Sequence, residues 1–254
     1  MIGLGTLLAK ELSEQWRTRR LLVVTIVFVV FGVASPLLAR YTPELIAMLA
    51  TEEGLVIEVP PPTTNDAIVQ FVRNLGQTGV LAAILLAMGA VATEKERGTA
   101  AMWLTKPVTR GAFLGAKAIA IVGVLAVGMA GAGLAGHAYT TFLFEAPGVG
   151  GWAMMCILLL LQMSAYAALT FLGSTLTRSP LAAAALGIGA LTTVAIVGAL
   201  PGIGAWTPSG LADASIAIAG GSAPDRLTEP VVATVVLIGA ALGGSWLSFR
   251  RQEL

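Results

Sequence analysis

Side chains able to do acid–base, nucleophilic or metal chemistry are few in this chain and scattered. There is one histidine, His137, and one cysteine, Cys156. His137 has no second ligand-type residue at metal spacing beside it, and Cys156 sits in an apolar run and can form no internal disulfide. No Ser/His/Asp set, carboxylate pair or Cys/His cluster stands out, so the expectation is no catalytic residue and no metal. Gly131-Ala-Gly133-Leu-Ala-Gly136 fits the G-x-G-x-x-G dinucleotide pattern, but no strand precedes it and no acidic residue follows at the ribose position. Close helix packing is the better reading of these glycines, and of Gly239-xxx-Gly243 and Gly111-xxx-Gly115, with the Gly239 pair the better candidate for a contact face. Gln162, Ser164 and Tyr166 are expected to line a path or, more simply, to bond a neighbouring helix.

The densest polar segment, Thr93 to Lys117, reads TEKERGTAAMWLTKPVTRGAFLGAK. Its chemistry is recognition. A short helix lying along a membrane and ended by Pro107 would turn Trp103 and Leu104 one way and Glu94, Glu96 and Arg97 another. A lipid surface alone does not call for acids there; a protein partner with its own groove does.

The elements that must position this segment follow from composition. Of 254 residues, 56% are hydrophobic and 11% charged, with a mean hydropathy of +0.86, against roughly 25% charge in soluble domains. Six stretches are long and apolar enough to cross a bilayer: Leu21 to Ala39, Leu75 to Ala92, Ala118 to Thr141, Trp152 to Leu176, Pro180 to Leu200 and Val231 to Phe249. The first lacks a small-residue cleavage site and is expected to be a retained span rather than a signal peptide. The break between the fourth and fifth is minimal, Thr177, Arg178 and Ser179, before Pro180 starts a new helix. The fold class is therefore an all-α membrane protein with six spans. Placing both termini in the cytoplasm puts twelve of the fifteen lysines and arginines inside, leaving Arg40, Arg73 and Arg226 outside. The formal net charge of +1 gives no reason to invoke a nucleic acid.

Residues 1–20 precede the six-span body of residues 21–254. There Leu4, Leu8, Leu12 and Trp16 recur every four residues, predicting an amphipathic helix in the membrane interface. Trp16 would sit at headgroup level, with Arg17, Arg19 and Arg20 on anionic lipid. Outside, residues 40–66 form an acidic segment stiffened by Pro60, Pro61 and Pro62. Residues 201–230 form a second outer loop, apolar enough to be either a re-entrant hairpin or an ordinary surface loop. Arg73, Asn74 and Gln77 make a polar cluster at the outer start of the second span and are candidates for lining a path.

In its inner loop the chain resembles the permease subunits of ABC type-2 exporters. The resemblance is carried by Glu94-Lys95-Glu96-Arg97-Gly98-Thr99 and Thr105-Lys106-Pro107-Val108-Thr109-Arg110, with the N-terminal run from Lys10 to Arg20 and the six spans around it. It implies that residues 93–117 are a coupling loop docking on a separate cytosolic ATP-binding subunit, through Glu94, Glu96, Arg97, Gly98, Thr99, Trp103, Lys106, Pro107 and Arg110. It also implies a second permease copy, identical or not, and residence in a cell membrane, that of a prokaryote. ATP and Mg would belong to the partner: no Walker sequence occurs here, and this chain is expected to be non-catalytic and to bind no cofactor. The alternative is a membrane scaffold or assembly factor of the same fold that moves no solute. A gradient-driven transporter or channel fits less well, because spans three to six carry no Asp, Glu, Lys or Arg within their cores.

Overall fold

The computed structural model describes residues 3–52, 60–98, 109–200 and 202–252. All regular structure among them is helical, in the order α1 (Leu4–Arg17), α2 (Arg20–Glu52), α3 (Thr64–Met88), α4 (Ala92–Glu96), α5 (Arg110–Leu143), α6 (Val149–Leu176), α7 (Pro180–Gly198), a 3-10 turn (Gly204–Trp206), α8 (Gly210–Ala219) and α9 (Thr228–Arg251). Six of these helices, α2, α3 with α4, α5, α6, α7 and α9, are long and apolar enough to span a membrane.

Several ends differ from the expected ones for local reasons. The second span begins at Thr64, because Thr63 and Asp66 form a capping box in which Asp66 Oδ2 accepts from the Thr63 amide at 2.8 Å. Arg73, Asn74 and Gln77 therefore lie inside a helix and not at its start. The third span begins at Arg110, where Thr109 Oγ1 accepts from the Ala112 amide at 3.1 Å. α2 continues to Glu52 through Pro36 and Pro43, so the expected outer segment 40–66 is helical over its first half. The minimal break before Pro180 is as predicted: α6 stops at Leu176, and Ser179 caps α7.

In the most apolar windows of α3, α5 and α6, 50%, 44% and 56% of residues are buried, against 22%, 17% and 17% in α2, α7 and α9. The first three form the inner layer and the others wrap it. Glycine permits the tightest approach: a Cβ on Gly32 would stand 2.6 Å from the Ala132 carbonyl oxygen, and one on Gly136 would stand 2.5 Å from Phe71. The G-x-G-x-x-G run is thus a packing face, as read from its context. Gly239 and Gly243 are the reverse of the expectation, since nothing among the described residues lies within 4 Å of a Cβ built on either, whereas a Cβ on Gly111 or Gly115 would stand 3.6 Å from Trp246 or 3.7 Å from Leu4.

The apolar part of 201–230 is not a surface loop. It folds as the 3-10 turn and α8, whose Leu211 and Ala214 pack on Leu158 of α6. Gly151 of α6 lets the two backbones meet, a Cβ there falling 2.5 Å from the Ile218 carbonyl oxygen. His137 is a packing residue: its Nε2 lies 3.2 Å from the Pro147 carbonyl oxygen and its ring stands edge-on to Trp152, with 5.5 Å between ring centres. No group of three or more potential metal ligands occurs among the described residues.

Candidate functional site

At one end of the bundle, α3 turns into the short helix α4 and α5 begins after it. α4 is too short to hold itself in place, and three contacts fix it. The buried Ser174 hydroxyl of α6 accepts from the amides of Val91 and Ala92 at 3.0 and 2.9 Å, satisfying two N–H groups at the start of α4 that have no partner inside the helix. Lys95 Nζ donates to the Thr175 carbonyl at the end of α6 and lies over the Phe249 ring. Glu94 turns inward and accepts from Lys117 Nζ of α5 at 2.7 Å.

Lys117 is 5% exposed at its side chain and also donates to Glu11 Oε1 of α1 at 3.2 Å. Lys10 closes the set, 3.0 Å from Glu11, 3.3 Å from Glu14 and 3.6 Å from Glu94. Burial lowers the Lys10 pKa, but the hydrogen bond to Glu11 and the charges of Glu11, Glu94 and Glu14 outweigh it, and the net shift is upward. Two lysines and three glutamates thus clamp α1, α4 and α5 together. Buried charges persist only when paired in this way.

α5 is tied to the last span at its first residue. Arg110 donates to the carbonyls of Phe249, Arg250 and Gln252 at 2.9, 2.8 and 3.2 Å, capping the C-terminus of α9 with positive charge where the helix dipole is negative. Phe113 stacks on Phe249 beneath it, with ring centres 5.6 Å apart.

The residues singled out from sequence separate into groups. Glu94 is bonded to Lys117, and Arg110 to the end of α9. Glu96, Arg97 and Gly98 are exposed, and Gly98 takes a left-handed φ of 68° that ends α4. Thr99, Trp103, Lys106 and Pro107 lie outside the described residues. Asn74 bonds Ser35 of α2 and Gln70, both at 3.1 Å, and so joins helices, while Arg73 and Gln77 are exposed on α3. In α6, Ser164 bonds the Leu160 carbonyl one turn back.

On α1 the leucine stripe splits. Steps of four residues drift by about 40°, so Leu4 and Leu8 pack on the core while Leu12 and Trp16 are 47% and 70% exposed. The buried edge is instead Leu7, Glu11 and Gln15. Arg17, Arg19 and Arg20 are exposed at the corner into α2, which Arg19 turns with a left-handed φ of 57°. Sequence reasoning passed over Ser174 and the inward role of Glu11. The one available signal was that Leu7, Glu11 and Gln15 share a helical face with the core-directed Leu4 and Leu8.

Six helices long and apolar enough to span a membrane, with braced short segments carrying charge at the junction of the second and third, define a multi-pass membrane protein. A family model for the ABC-2 family transporter protein matches residues 6–216, and the chain belongs to that family. It is 30% identical over 207 residues to the uncharacterized transmembrane protein YxlG of Bacillus subtilis (strain 168), an alignment covering 80% of each chain. It is a multi-pass membrane protein of the ABC-2 permease type.

Proposed function

We propose that this chain is the permease subunit of an ATP-driven exporter, in which a separate ATPase subunit supplies the force and the segment from Glu96 to Thr109 receives it. The observation behind this reading is the bracing of that segment at both ends. Before it, α4 is bound to α1, α5 and α6; after it, Arg110 is bound to the end of α9. A push on the segment is therefore delivered to four helices at once, which a free loop could not do. Glu96 and Arg97, exposed at its start, are the docking charges. Glu94 and Arg110 transmit and do not dock. The end of the bundle bearing this junction faces the cytoplasm, where α1 lies with Leu12 and Trp16 in the membrane interface. The translocation path forms against a second permease copy, and ATP and Mg are held by the partner.

Co-purification with the cognate ATPase tests this. Glu96→Arg is expected to weaken the complex roughly tenfold and lower stimulated ATP turnover in parallel, as reversed charges at an interface do. Unchanged complex and turnover would sink the docking assignment.

A further inference from the structure

Beside the charge clamp, a cavity of about 410 Å³ opens between α1, α3, α4 and α5. That is within the usual range for a small-ligand site, roughly 300–1,000 Å³. Its walls carry two kinds of group. The acceptors are Gln15 of α1 and Glu14, whose Oε2 already lies 3.3 Å from Lys10. The cations are Arg20 and Arg97, neither of which has an ion-pair partner among the described residues. Gln15 is 6% exposed and lines the cavity, yet its Oε1 is buried with no hydrogen-bond donor. A buried acceptor without a donor is costly, and here it faces space that a donor could occupy.

We propose that this cavity binds the headgroup of a phosphoethanolamine lipid, with the phosphate on Arg20 and Arg97 and the ammonium on Gln15 Oε1 and the Glu14 carboxylate. Lys10, Lys117, Glu11, Glu14 and Glu94 are ion-paired with one another, Glu14 through Oε2, so the ligand has to match what the clamp does not use: Arg20 and Arg97 as cations, and Gln15 Oε1 with the second Glu14 oxygen as acceptors. That demands a zwitterion and disfavours a simple anion. The location selects a lipid over a soluble phosphate. Leu86 and Ile121, which line the cavity, both stand on membrane-spanning helices, so the cavity lies where those spans meet the membrane interface. The exposed Trp16, one residue from Gln15, suits the headgroup level. Arg97 is shared with the docking face proposed above, so the inference is tested on this chain alone, with no ATPase present.

The delipidated chain in detergent would be titrated with dioleoyl phosphatidylethanolamine, phosphatidylcholine or phosphatidylglycerol, and retained lipid read by native mass spectrometry. Phosphatidylethanolamine should be retained about tenfold better than phosphatidylcholine, whose trimethylated nitrogen has no N–H for Gln15. Gln15→Leu should erase that preference while leaving the lipid-free thermal midpoint equal or higher, since it removes an unsatisfied group at similar volume. Arg97→Gln, at an exposed position that the fold does not depend on, should lower retention of phosphatidylethanolamine severalfold. Equal retention of the three lipids, a preference for phosphatidylglycerol, or variants that bind as the wild type does would overturn the proposal. So would displacement of the lipid by excess soluble phosphoethanolamine, which would reassign the cavity to a free metabolite.

Discussion

Ser174 and Lys117 are single side chains on which the junction turns. Ser174 is fully buried and serves two backbone amides of another segment. Ser174→Ala leaves both without an acceptor, and about 1–3 kcal/mol of stability should be lost. Faster hydrogen exchange at Val91 and Ala92 than elsewhere in the protein would locate that loss. Lys117 is the stronger case. Lys117→Ala removes the buried cation between Glu11 and Glu94 and leaves their charge to Lys10, for which a loss of about 3 kcal/mol is expected, whereas the uncharged set Lys117→Met, Glu94→Gln and Glu11→Gln should recover most of it. Thermal unfolding in detergent checks both arms; recovery is the telling outcome, because it separates stranded charge from lost packing. Arg19 holds a left-handed backbone that only glycine adopts freely. Arg19→Val should cost about 1–2 kcal/mol and Arg19→Gly much less.

Among helices, glycine position decides more than glycine count. Gly32 of α2 meets backbone atoms of Ala132 in α5, which cannot rotate aside as the end of a side chain could. Gly32→Ala should therefore force the two helices apart and lower stability by about 1–3 kcal/mol. Gly239→Ala on α9, where none of the described residues lies within contact, should be neutral or stabilise by up to about 1 kcal/mol through helix propensity. A paired thermal-unfolding measurement decides this, and equal losses would contradict the packing described. The spans and the break before Pro180 were readable because apolar length and a proline at a helix start are local signals. The early starts of α3 and α5 were less readable: Thr63 with Asp66, and Thr109, are capping residues whose effect extends helices beyond the apolar stretch into polar sequence.

For the whole molecule, the inner layer of α3, α5 and α6 against the outer α2, α7 and α9 predicts a labelling order. A hydrophobic carbene reagent in the lipid phase should modify Leu181 and Ile196 of α7 and Val235 and Val236 of α9, all well exposed, far more than Leu125 of α5 or Leu159 of α6, which are fully buried. Uniform labelling would contradict the layering. The bundle also gathers Lys10, Lys95, Arg110 and Lys117 at one end through direct contacts among α1, α4, α5, α6 and α9. The same charges had been sorted to one side of a membrane from loop composition.

The chain's order of residues was sufficient for the all-helical class, six spans, the grouping of basic residues and the resemblance centred on Glu94 to Arg110, because each depends on composition and short-range spacing. Direction was the missing quantity. Whether Glu94 points out to a partner or in to Lys117, whether Gly32 or Gly239 meets a neighbour, and which edge of α1 is buried depend on residues brought together from 23 to 106 positions apart. Those choices belong to the tertiary structure, since a side chain's role is set by what stands opposite it and no local pattern records that.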